Sequence, residues 1–123
     1  MKLRLKKNSV RLRLTQNEVE LFSERGLVEE YVDFADGVRF RYRLMSDETV
    51  NDVTTKFDKQ GITVILPGPL GRDWTASEMV GIEGKQATRR DELHIVVEKD
   101  FACLDHRPGD DDDTFPNPLR CAS

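Results

Sequence analysis

The 123-residue chain carries 19 Lys and Arg against 23 Asp and Glu, with 37% hydrophobic and 34% charged residues. That length suits one domain with a real core, without metal or disulfide support, and the composition excludes a disordered chain. No apolar run approaches the ~18 residues of a membrane span. The opening MKLRLKKNSVRLRL lacks the apolar stretch of a signal peptide, so a soluble, cytoplasmic protein with no membrane partner is predicted.

In chain order, KLRLKK sets Leu3 and Leu5 against Lys2, Arg4 and Lys6, and SVRLRL sets Val10, Leu12 and Leu14 against Arg11 and Arg13. Strict alternation marks half-buried strands, and the short polar Lys7-Asn8-Ser9 between them suits a hairpin. TQNEVELFSERG then changes period. Thr15 with Glu18 three residues on has capping-box spacing, Val19 and Phe22 share a side, and Gly26 is a stop signal. A helix of two to three turns is expected there. LVEEYVDF and VRFRYRL follow as strands joined by Ala35-Asp36-Gly37, and NDVTTKFD and GITVILP form a hairpin across residues 58–61. GPLGRDW reads as a short helical turn opened by proline, and EMVGIEG and ELHIVVEKD as the last strands.

The second half repeats the order of the first. An offset of 52 residues sets Val10 on Ile62, Leu12 on Val64, Leu14 on Leu66, Phe22 on Trp74 and Val28 on Val80. Three added loop residues bring Val38, Phe40 and Tyr42 onto Leu93, Ile95 and Val97. The predicted fold is mostly β (α+β): two tandem β-β-α-β-β units, about 1–46 and 50–100, forming a small pseudo-two-fold β-barrel. Residues 101–123 form an irregular acidic C-terminal tail.

The charge is polarised along the chain. Residues 1–13 hold Lys2, Arg4, Lys6, Lys7, Arg11 and Arg13 with no acid, whereas residues 98–113 hold seven acids and only Lys99 and Arg107. Lys2, Arg4, Lys6, Arg11, Arg13, Arg39, Arg41 and Arg43 alternate with core positions, which predicts one shared cationic face. That face is a candidate site for a polyanion or nucleic acid; the competing reading is a solvated surface paired with acids such as Glu29 and Asp33. The run Asp110, Asp111, Asp112 and Asp113 is either a solvated tail or a lid that masks the cations.

Cys103, Asp105 and His106 could supply metal ligands, but the spaced Cys or His pairs of a zinc site are absent, and DDDDTFP lacks the glycine and terminal glutamate of an EF-hand. No metal and no cofactor are therefore expected. Cys103 and Cys121 read as free thiols. GPLGRD lacks the Lys-Ser/Thr pair of a P-loop. Triphosphate-tunnel enzymes open with an alternating Glu-x-Glu-x-Lys, and KLRLKK has no acid there, so the carboxylates such chemistry needs are missing. The expectation is a protein that is not an enzyme.

Two resemblances sharpen this reading. ITVILPGPLGRDWTASEMVGIEG followed by ELHIVVEKD resembles the swapped-hairpin half-barrel of AbrB-type and MazE-type DNA-binding domains, in which two chains complete one barrel; here one chain would carry both halves. The opening SVRLRLTQNEVELF, the KDF-x-C-L-D motif at residues 99–105 and the closing FPNP are similar to a small bacterial family of unknown function. The first resemblance implies DNA binding and the second no known activity, so the expected function stays a non-enzymatic binding or regulatory module of an uncharacterised family, with a polyanion or protein partner. A DNA-binding regulator using the arginine face is the first alternative, and a small enzyme acting on a phosphorylated ligand the second.

Overall fold

The computed structural model describes residues 1–101. Eight strands and two helices follow one another as β1 (Lys2–Leu5), β2 (Ser9–Leu14), α1 (Gln16–Arg25), β3 (Leu27–Asp33), β4 (Arg39–Asp47), β5 (Thr54–Asp58), β6 (Gly61–Pro67), α2 (Gly68–Ala76), β7 (Gly81–Ala87) and β8 (Glu92–Lys99). The capping box forms as its spacing required. Thr15 Oγ1 accepts from the Glu18 N–H, Glu18 accepts from the Thr15 N–H, and Gly26 closes α1 at φ 70°. The proline-opened segment runs longer than one turn, to Ala76, and β7 starts three residues later than EMVGIEG suggests.

The strands build two mixed sheets, ordered β1-β2-β8-β7 and β3-β4-β6-β5. Each hairpin is antiparallel, and each sheet is completed by a central parallel pair, β2 with β8 or β4 with β6. The first hairpin of the chain thus pairs with the last, and the two middle hairpins pair with each other. Hairpin registers correspond at the expected offset: Lys2↔Arg13 and Leu5↔Val10 match Thr54↔Ile65 and Phe57↔Ile62, each 52 residues on. Later strands slip. Leu12 pairs with Val97 and Val64 with Leu44, so Leu44, not Tyr42, corresponds to Val97. Val28 is matched by buried Ile82 instead of Val80, which is exposed, because residues 77–80 lengthen the exit from α2 while Gly26 alone links α1 to β3.

A closed barrel was expected, but the two sheets are not joined by a backbone ladder among the described residues. Side chains hold the seams instead. Gln86 on β7 accepts from the Thr55 N–H at 2.9 Å and donates to the Thr55 carbonyl at 3.3 Å, so an amide side chain occupies the place a ninth strand residue would take. At the other seam Met1, its side chain fully buried, donates from its ammonium to Glu18 and, at 2.9 Å, to Glu30. The Tyr42 hydroxyl bonds both the Met1 carbonyl and Glu30, at 2.9 and 2.8 Å.

That cluster sets a pH dependence. Burial pulls the Met1 ammonium down, but its bonds to Glu18 and Glu30 outweigh this and raise it above the ordinary 8.0. Burial pushes the Glu18 carboxyl up, but the Met1 ammonium and the Thr15 N–H bring it below 4.5. Burial and the Glu30 bond push Tyr42 up to about 12. A raised group stabilises below its unfolded pKa and loses this as pH climbs through the folded one; a lowered carboxyl does the reverse. Thermal midpoints measured from pH 3 to 12 should therefore plateau between about 4.5 and 8 and fall on both sides. Glu30→Gln should flatten the alkaline limb, and an unchanged limb would remove the cluster from the account.

Leu12, Leu14, Leu44, Val64, Leu66, Ile95 and Val97 are fully buried between the sheets. Both helices connect strand ends on one side, and Phe22 of α1 meets Trp74 of α2 edge-on at 6.2 Å across that end of the core. The hairpin turns all lie at the other end, a consequence of strand direction. Among the described residues no helix is long and apolar enough to cross a membrane.

Candidate functional site

Alternation fixes which side of a sheet a residue faces, and the pairing decides which sheet. The eight cations expected on one face are divided: Lys2, Arg4, Arg11 and Arg13 lie on the outer side of the β1-β2 hairpin, Lys6 follows in its turn, and Arg39, Arg41 and Arg43 lie on β4 in the second sheet.

The β4 group is matched residue by residue. Arg39 Nε donates to Asp33 at 2.6 Å, which draws the Asp33 carboxyl below its usual range, and its guanidinium lies 5.0 Å over the Tyr31 ring. Arg41 reaches Asp58 at 3.7 Å, across the space left by Gly61. Its Nε is buried with no partner among the described residues. Arg43 Nε donates to Thr63 Oγ1 at 2.8 Å and stands opposite Glu29. Arg39 and Arg43 behave as the paired reading expects, whereas Arg41 is paired only at its tip and is 15% exposed.

The β1-β2 group is different. Its cross-strand partners are Lys2↔Arg13 and Arg4↔Arg11, so like charges face each other directly, an arrangement that costs stability unless an anion intervenes. From β8, Glu98 takes two bonds from Arg13, at 3.0 and 2.9 Å, and lies 3.7 Å from Arg11. Asp100 is 4.0 Å from Lys2. Exposed Arg4 has no hydrogen bond or ion pair among the described residues. Sequence reasoning missed Glu98 as the counter-ion, although its place in the outward series His94, Val96, Glu98 was readable.

The two turns of this sheet also converge. Asn8 accepts from the His94 N–H at 2.8 Å and donates to Asp91 at 3.5 Å, which brings Lys6 and Lys7 beside Arg89 and Arg90, all exposed. Asp110, Asp111, Asp112, Asp113, Cys103, Asp105, His106 and Cys121 lie outside the described residues. Among the described residues no three His, Cys, Asp or Glu are grouped to hold a metal ion. An open cleft of about 300 Å³ is lined by Asn51, Asp52, Val53, Leu70, Glu83, Gly84 and Lys85, without a histidine, cysteine or hydroxyl nucleophile.

No curated protein and no solved structure matches the chain. A family model described as "Family of unknown function (DUF7009)" matches residues 1–119, nearly the whole sequence, and the chain belongs to that family of unknown function.

Proposed function

We propose that the protein is a non-enzymatic binding or regulatory module of the cytoplasm whose β1-β2 surface takes a polyanion, with Lys2, Arg4, Arg11 and Arg13 as contacts. The observation that carries this is the like-charge pair Arg4↔Arg11, with Arg4 exposed and without a partner among the described residues. A bound phosphate run would relieve that repulsion. Arg39 and Arg43, already matched on the other sheet, are assigned to solubility, and Arg41 to the joint between β4 and Asp58. The acidic run at residues 110–113 serves as an intramolecular competitor for the cations.

A second reading, an AbrB-like DNA-binding regulator, draws support from the repeated β-β-α-β-β order and the exchange of hairpins between halves, which also favours an internal duplication. Duplex DNA and polyphosphate separate the readings, since a regulator prefers the duplex.

The experiment is fluorescence anisotropy with labelled duplex and polyphosphate. Four phosphate contacts should cost about 100-fold in affinity between 50 and 200 mM salt. The double variant Arg4→Glu, Arg11→Glu should abolish binding, whereas Arg39→Glu should change it less than about threefold. Equal losses in both variants would return the β1-β2 cations to an ordinary solvated surface.

A further inference from the structure

The helix end of the sandwich is plugged by Phe22 and Trp74, but the hairpin end is not. Beyond the Tyr42 row, β3 and β4 continue with Val32 opposite Phe40 and with the Phe34 N–H bonded to the Val38 carbonyl. These side chains share the face of the core residues Val28 and Leu44, yet Val38 and Phe34 are 60% and 57% exposed. Leu5, paired with Val10 on the inner face of β1, is 58% exposed, and Phe57, paired with Ile62, is 79% exposed. Met1 beside Glu30 sets β1 alongside β3, so Leu5 and Phe34, each four residues further on, come level at the same end. Several large apolar side chains on inner faces, gathered at one end, form an unfilled apolar surface rather than scattered exposure. Next to it stand Lys6, Lys7, Arg89 and Arg90, with Asp91 already engaged by Asn8.

We propose that this end is a docking surface for residues 110–119 of the same chain, the aspartates meeting Lys6, Lys7, Arg89 and Arg90 while Phe115 and Leu119 cover Leu5, Phe34 and Val38. The sequence DDDDTFPNPL puts four negative charges directly before an apolar stretch, the complement of four cations beside an apolar surface. Length also fits. The described chain ends at Phe101 on the helix end, and β8, of 8 residues, spans about 26 Å. Nine residues from Phe101 to Asp110 reach up to about 30 Å, enough to return to the hairpin end. The inference adds to the competitor role given to the aspartates above by seating them at the two turns of the same sheet. It rests on that segment folding back, and not on anion binding.

Proximity tests it directly in the full chain. With Cys103→Ser, Cys121 is the remaining thiol, two residues past Leu119. A second thiol is introduced as Val38→Cys at the hairpin end, or as Ala76→Cys at the helix end, both exposed positions. A short bis-thiol reagent should link Cys121 to position 38 within one molecule at least about tenfold faster than to position 76. Phe115→Asp should remove that preference. Equal rates at the two positions, or links only between two molecules, would overturn the proposal. Because the readout contains no anion, its failure leaves the anisotropy result untouched, and the reverse holds.

Discussion

Gly61→Ala should cost at least about 3 kcal/mol of stability. Gly61 opens β6 at φ 149°, a backbone state that side chains with a Cβ rarely adopt. An added Cβ would lie 1.7 Å from the Arg41 carbonyl oxygen, so β4 and β6 would have to separate at their first paired residues. This pair joins the two hairpins of its sheet, and backbone cannot swing aside as a flexible side chain can. Gly37→Ala is the control. Gly37 also has a positive φ, 73°, but nothing lies within 4 Å of its missing Cβ, so only the conformational term of about 1 kcal/mol applies. Urea titration of both variants distinguishes close approach from conformational preference. Equal losses would mean the contact has relaxed.

Trp74→Ala should cost about 3–5 kcal/mol, the range for removing a fully buried large aromatic side chain. The ring is fully buried, its Nε1 donates to the Val80 carbonyl at 3.3 Å, and Lys99 Nζ sits 5.9 Å over it. Deletion therefore empties the space beside Phe22 and removes one of the two hydrogen bonds to the Val80 carbonyl, which keeps the Lys99 N–H at 2.9 Å. Trp74→Phe should cost less, keeping most of the apolar volume while losing the bond. A loss below about 1 kcal/mol for Trp74→Ala would show that α2 does not close the core.

Much of this was written in the residues. Strict alternation in VRLRL and VRFRYRL marks strands because a period of two fits only a sheet with one buried face, and Thr15, Glu18 and Gly26 specify both ends of α1. Phe22 and Trp74 could be placed at equivalent points. What alternation cannot say is which strand lies beside which. Arg13 and Arg43 look alike in sequence, yet pairing gives Arg13 a Lys across the strand and Glu98 from the far end of the chain, while Arg43 faces Glu29. The single cationic face was therefore divided by topology, which is nonlocal. The register slip at Val97 had the same origin, since loop lengths after α2 shift pairing by residues that carry no periodic signal. The Met1 cluster was equally hidden: Glu18 was readable as a capping residue, but its second role depends on β1 lying next to β3.

The exchange of hairpins between halves has a kinetic consequence. In the sheet formed by β3 to β6, the parallel pair brings together residues 20 apart, as Arg43 and Thr63. In the other sheet it brings together residues 85 apart, as Arg13 and Glu98. The longer loop carries an extra closure cost of about 1.3 kcal/mol. On the ribosome, every strand of the β3-β4-β6-β5 sheet has been made once Pro67 is added, whereas β1 and β2 wait for the last strand described. Through most of synthesis the most basic hairpin of the chain is thus without its β8 partner, and Arg11 and Arg13 are without Glu98.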